Sequence, residues 1–193
     1  MIKAVTFDLD GVYFTADSFP NFKQSLGIDN FDDNLMTSFK KGELSEADFW
    51  NQTRRQLNLS LTDDQISQLL ADSYQVNQNV VDNVKKVRNL GIKTCICTNN
   101  FPTRINALDK KFGFLSDFEV KVFSFQIGAI KPNPKIFQAL IAQSSCLPSE
   151  IFYADDKQAN VDSALSLGIN AILYTDFNDF VTHLQNLGVA IAP

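Results

Sequence analysis

Five short apolar runs stop abruptly at polar residues: 2–8 (IKAVTFD), 92–98 (IKTCICT), 121–125 (KVFSF), 150–155 (EIFYAD) and 170–176 (NAILYTD). Their apolarity is nearly continuous where a half-exposed strand would alternate, so each reads as a parallel strand covered on both faces. Helical spacing fills the gaps. Val80, Val84, Val87 and Leu90 form a stripe that closes at Gly91. Beyond Lys131, Asn133 offers an N-cap, Pro134 a first-turn residue, and Ile136, Phe137, Leu140 and Ile141 an apolar face. Two more stripes, 158–167 and 178–187, end before Gly168 and Gly188. Alternating strand and helix predict an α/β fold with a doubly wound, Rossmann-like parallel sheet.

Residues 15–79 break that rhythm, with three helices and no strand expected. They are 31–40 with Leu35, Met36 and Phe39, 46–57 behind Ser45 with Phe49 and Trp50, and 62–72 opened by a capping box of Thr62 and Gln65. The economical organisation is a core of residues 1–14 and 80–193 carrying a helical insertion at 15–79. Tyr13 and Phe14, at its start, are candidates to line a pocket.

Composition narrows the class. Of 193 residues 45 % are hydrophobic, 20 % charged and 17 are Phe, which is a folded globule and not a disordered or fibrous chain. Lys and Arg number 17 against 22 Asp and Glu, for a net charge of −5, which argues against nucleic-acid or anionic-membrane partners. No run reaches bilayer-spanning length and the opening lacks a leader pattern, so a soluble cytoplasmic protein is expected. Cys95, Cys97 and Cys146 are an odd count without zinc spacing and read as reduced core thiols. No oligomeric state is read from these patterns.

Open α/β sheets bind ligands where their strands end. The polar residues that close the runs are Asp8 and Asp10, Thr98 and Asn99, Lys131, and Asp155 and Asp156. Up to four carboxylates would share one small volume, and each like-charge pair at about 4 Å costs roughly 4 kcal/mol at an effective dielectric near 20. Such a cluster calls for a cation, and an all-oxygen donor set favours Mg²⁺ over zinc. A divalent ion beside a carboxylate nucleophile, a hydroxyl and a fixed ammonium is the equipment of phosphoryl transfer. Taken singly, a strand-end Asp is more often a turn or cap residue, and DG is a common turn pair. The functional reading gains its weight from the four groups occurring together.

FDLDGV with Asp8 and Asp10, CTNN with Thr98, KPNPKIF with Lys131, and YADDKQANVDSA with Asp155 and Asp156 resemble, in order, the four motifs of the haloacid dehalogenase superfamily of capped aspartyl-phosphate phosphatases. The insertion at 15–79 resembles that superfamily's helical type 1 cap. KKGELSEADFW and AILYTDFNDFVTHL are similar to the bacterial α-glucose-1-phosphate phosphatases and the N-terminal phosphatase domain of soluble epoxide hydrolases. The resemblance implies that Asp8 is the nucleophile and a metal ligand, and that Asp10 is the acid and base whose backbone carbonyl meets the metal. Thr98 and the Asn99 N–H would hold phosphoryl oxygens, Lys131 would offset charge, Asp156 would bind Mg²⁺ directly and Asp155 through water. Many relatives place a further acid where this chain has Asn160.

The function so implied is Mg²⁺-dependent hydrolysis of a small phosphorylated metabolite, such as a sugar phosphate. The alternatives are a phosphomutase, a metal-independent dehalogenase, in which Asp10 and the acid pair would be superfluous, and a non-catalytic module like a receiver domain, which carries its acid on the third strand and has no cap. In the insertion, Lys40, Lys41, Arg54 and Arg55 read as solvated, with one position among them a candidate to meet a distal anionic group of the substrate.

Overall fold

A computed structural model describes residues 1–191, and in it the apolar runs pair as one parallel sheet. The strands are β1 (Ala4–Phe7), β2 (Lys93–Thr98), β3 (Val120–Phe123), β4 (Ile151–Asp155) and β5 (Asn170–Leu173), ordered β3-β2-β1-β4-β5. The doubly wound α/β expectation therefore holds. Strand order reverses between β1 and β4, which is where the crevice of such a sheet opens. Phe7 pairs with Ala154, and the Asp8 N–H donates to the Ala154 carbonyl at 3.1 Å. The ends of β1 and β4 thus leave the sheet side by side.

Between β1 and β2 lie α1 (Ser18–Ser25), α2 (Asp33–Lys40), α3 (Glu46–Leu57), α4 (Asp63–Ser73) and α5 (Gln78–Asn89). The Thr62 capping box forms with Gln65 as expected. Helix α1 was not among the expected helices: it is short, and Pro20 interrupts its pattern, although a proline in the first turn costs no intrahelical hydrogen bond. Beyond β2 run α6 (Pro102–Phe112), also outside the expected set, the single turn α7 (Ser124–Ile127), α8 (Pro134–Ser144), α9 (Gln158–Ser166) and α10 (Phe177–Asn186). β3 stops earlier than its apolar run because the chain turns into α7 at Ser124.

Every residue of β1 and β4 is buried, which accounts for their unbroken apolarity. Alternate residues face opposite sides. Val5, Phe7, Ile96, Phe152 and Ala154 join a core with α5, α6 and α10, while Ala4, Cys95, Cys97, Ile151 and Tyr153 join a second with α8 and α9. All three cysteines are free and buried, and burial pushes the Cys95 and Cys97 thiols up to about 12, which leaves them unreactive. No helix among the described residues is long and apolar enough to cross a membrane.

The helices before α5 are fastened to the core at α6 and at α7. Helix α4 packs on α6, and the Trp50 indole N–H donates to Thr103 Oγ1 at 2.8 Å. Phe39 stacks on Phe49 at 4.1 Å between ring centroids and on Phe101 of the core at 5.1 Å. After α2, Gly42 has φ +70°, and a Cβ there would meet the Phe125 carbonyl oxygen at 2.2 Å. Only glycine allows that approach to α7. Tyr13 and Phe14 are instead buried in the core, packed edge-on against Tyr74, Phe114 and Phe118.

Candidate active site

Lys131 is the hub of the crevice. Its buried Nζ stands 2.6 Å from Asp155 Oδ2, 2.9 Å from Asp8 Oδ2, and 3.0 Å from both the Tyr153 hydroxyl and the Cys97 carbonyl. The backbone beneath it is clamped by Asn99, whose Oδ1 accepts from the Lys131 N–H at 2.7 Å and whose Nδ2 donates to the Lys131 carbonyl at 3.0 Å. With its side chain so engaged, any contact of Asn99 with a substrate runs through its backbone.

Tyr153 and Asp155 are two residues apart on β4, hence on one face, and the tyrosine hydroxyl donates to Asp155 Oδ2. Asp155 Oδ1 accepts from the Lys157 N–H at 2.9 Å and from Asn160 Nδ2 at 2.8 Å. The residue that stands where many relatives have an acid therefore orients Asp155 by donating to it.

One oxygen each of Asp8, Asp155 and Asp156 lie within 4.8 Å of one another. Three carboxylates face one ammonium, an excess of negative charge that the pKa values register. Burial pushes the Asp8 carboxyl up from 3.8 to about 7, with Lys131 opposing the rise and Asp155 and Asp10 adding to it. Burial also raises Asp156. It would raise Asp155 too, but Lys131, Tyr153 and Asn160 outweigh it and hold that group low. Burial alone would lower Lys131, yet Asp8 and Asp155 leave it raised.

A hard divalent cation fits this donor set: every group is a carboxylate and the surplus charge is negative. Gly11 makes room for it. Its φ is +75°, and an added Cβ would stand 2.8 Å from Asp156 Oδ2, so a glycine is needed for Asp156 to reach its place.

Asp10 does not join the cluster. Up to four carboxylates in one volume were expected; three gather, and the Asp10 side chain is held by Arg104, whose Nη2 stands 3.0 Å from Asp10 Oδ2. Thr98 is buried at the end of β2. Two members of the site were not foreseen in the sequence. Tyr153 was read only as part of an apolar run, although its place two residues before Asp155 puts it on the same face. Arg104 sits in a stripe of Phe101, Ile105 and Leu108, and a lone arginine on an apolar helix face was the available signal.

Of the basic residues in the insertion, Lys41 stands 3.8 Å from Glu43, and Arg54 bonds the Leu61 carbonyl and Asp63. Lys40 lies near the crevice, where Arg104, Asp10 and Asp8 act on its ammonium. Burial lowers its ammonium to about 8, helped by the nearby Arg104, and its Nζ lies 5.7 Å from the Phe19 ring centroid. It makes no hydrogen bond or ion pair among the described residues.

Residues 2–168 match the model of the haloacid dehalogenase-like hydrolases. A stretch of 93 residues, 46 % of this chain, is 37 % identical to Acyl-CoA dehydrogenase family member 10 of Mus musculus, yet it spans only 8 % of that protein. Over 188 residues the chain is 27 % identical to the D-ribitol-5-phosphate phosphatase of Bacteroides thetaiotaomicron, covering 87 % of this chain and 89 % of that one. A HAD-family enzyme of Bacteroides thetaiotaomicron, solved in complex with magnesium and inorganic phosphate, shares the fold with a TM-score of 0.78 at 23 % identity, covering 93 % of this chain and 99 % of that one. With the family model matched over four of the five strands and all of the strand-end acids, the chain belongs to the haloacid dehalogenase-like hydrolase family.

Proposed function

We propose that this hydrolase is a Mg²⁺-dependent phosphatase acting on a small phosphorylated metabolite, and that Asp8 carries the phosphoryl group between two half-reactions. The observation that carries the reading is the convergence of Asp8, Asp155 and Asp156 around Lys131. When bound, Mg²⁺ supplies positive charge to the nucleophile and to the phosphoryl oxygens. Asp8 and Asp156, with the Asp10 backbone carbonyl, would hold it, and Asp155, whose two oxygens already accept from protein donors, would support it indirectly, through water.

The Asp8 carboxylate attacks phosphorus in line, and the ester oxygen leaves with a proton from Asp10. Lys131 offsets charge on both reactants from a fixed position. Thr98 and the Asn99 N–H hold phosphoryl oxygens. Asp10 then takes a proton from the water that cleaves the aspartyl phosphate. The helices of residues 15–79 act as a cap over this chemistry, restricting access to small molecules and excluding bulk water. Lys40, near the crevice and without an ion-pair partner, meets the far end of the substrate. Likeness to a phosphatase named for ribitol 5-phosphate supports a phosphorylated sugar or polyol as the substrate class.

A phosphomutase would use the same residues and differ in shielding the aspartyl phosphate from water. A dehalogenase needs neither the third carboxylate nor a cation, and the Asp8, Asp155, Asp156 cluster disfavours it. The three reduced cysteines suit a cytoplasmic setting. A colorimetric phosphatase assay with and without Mg²⁺, alongside chloroacetate, tests the reading. Turnover of phosphate esters that is lost on chelation supports it, whereas metal-independent release of chloride replaces it.

A further inference from the structure

Arg104 occupies an expensive position. A guanidinium that is 0 % exposed must satisfy its donors and its charge inside the protein. Nε donates to Asn100 Oδ1 at 2.6 Å, Nη1 to the Tyr74 hydroxyl at 2.8 Å and Nη2 to the Asn99 carbonyl at 3.3 Å. The rings of Phe101, Phe19 and Tyr74 surround it, with centroids 5.0, 5.1 and 5.7 Å from Cζ. All these partners are neutral. Among the described residues its one carboxylate partner is Asp10, at 3.0 Å through Nη2, and 35 % of the Asp10 side chain stays open to solvent.

A helix of the core, α6, thus sends a fully buried cation, bonded through all three of its nitrogens, to one oxygen of a carboxylate that the Tyr74 hydroxyl also faces and that stays partly open to solvent. Its orientation is fixed from two sides, because Asn99 and Asn100 belong to the segment after β2, whereas Phe19 belongs to α1 and Tyr74 directly follows α4. We propose that Arg104 is the positioning residue of Asp10. It holds Asp10 by one oxygen, so that the proton is carried on the other and faces the departing ester oxygen. This rests on the acid and base role proposed above for Asp10. In the first half-reaction the Asp8 oxygen bonds to phosphorus, the bond from phosphorus to the ester oxygen breaks, and the proton of Asp10 passes to that oxygen. In the second, water bonds to the same phosphorus and gives Asp10 its proton back.

The sensitivity of kcat/KM to the leaving group separates positioning from mere support of the fold. An alkyl phosphate needs its leaving oxygen protonated, whereas 2,4-dinitrophenyl phosphate expels a stable phenolate without help. The measurement compares both esters for wild type, Arg104→Met, Arg104→Lys and Asp10→Asn, with thermal melts to establish that each variant is folded. Asp10→Asn should lose about 10²- to 10⁴-fold in kcat/KM on the alkyl ester and far less on the dinitrophenyl ester.

Arg104→Met should show the same selectivity, with a loss of roughly 10²-fold on the alkyl ester, and Arg104→Lys a smaller selective loss because a single ammonium cannot reproduce the fork. Should Arg104→Met not fold, the selective loss in Arg104→Lys carries the test. If folded Arg104 variants lose both esters equally while Asp10→Asn is selective, the positioning role is overturned and the acid role stands. If Asp10→Asn itself shows no selectivity, the acid role falls and the positioning role with it.

Discussion

Two ionic clusters flank the point where the chain leaves β1, and they are built by different means. Around Lys131, the carboxylates of Asp8, Asp155 and Asp156 arrive from strand ends and outnumber the single ammonium. Around Arg104, one carboxylate meets one guanidinium, and the remaining partners are two asparagines, the hydroxyl and ring of Tyr74 after α4, and the rings of Phe19 and Phe101. The first cluster carries surplus negative charge and fits a cation. The second is balanced and complete in itself. Residues two positions apart, Asp8 and Asp10, thereby acquire different chemistry: one is buried in negative surroundings, the other is tethered and open.

The largest effects should come from the cluster around Lys131. Asp8→Asn should remove turnover to the detection limit and abolish the acid-quenched phosphoenzyme, and a variant turning over at wild-type rate would dissolve the distinction between the two acids. Lys131→Met leaves Asp8 and Asp155 buried without their cation, and breaking such a pair costs about 3–5 kcal/mol. Urea denaturation of metal-free protein should show that loss, partly recovered when Mg²⁺ is added. Unchanged stability would mean that the crevice is wetter than its burial indicates.

Gly11→Ala probes the link between the clusters. The added methyl collides with Asp156 and the left-handed backbone adds strain of about 1–2 kcal/mol. Mg²⁺ affinity should fall about 10- to 100-fold, as when a group supporting a ligand is lost. Wild-type affinity would show that Asp156 does not need its observed position.

A last effect is on pH dependence. With its pKa raised from 3.8 to about 7, Asp8 keeps its proton in native metal-free protein over a range where the unfolded chain has lost it. The native state then binds more protons, so this contribution to stability falls as pH climbs from about 4 to about 7 and is constant beyond. The stability difference between wild type and Asp8→Asn, followed across that range, should move against wild type as pH rises. A flat difference would place Asp8 in less negative surroundings.

The strand-end cluster was legible in the sequence because parallel strands bring distant ends to one crevice, so Asp8, Lys131, Asp155 and Asp156 announce themselves by where the apolar runs stop. Tyr153 was hidden within such a run, since an aromatic in a buried strand looks like core until its hydroxyl is given neighbours. Arg104 was hidden more deeply. Its helix carries no side-chain N-cap and was not expected, and a helix-borne arginine reveals its target only when α6 is docked beside β1. The helices of 15–79 were mostly visible through caps and stripes, whereas their contacts with the core through Gly42 and Trp50 depend on tertiary packing that periodicity does not encode.

Mg²⁺ titration calorimetry on wild type, Asp156→Ala and Asp10→Asn tests the contrast most directly. One ion should bind per chain in wild type and in Asp10→Asn, which keeps the backbone carbonyl, while Asp156→Ala should bind weakly or not at all. Equal binding by all three proteins, or loss in Asp10→Asn with retention in Asp156→Ala, would contradict the assignment of the cation to the Lys131 cluster.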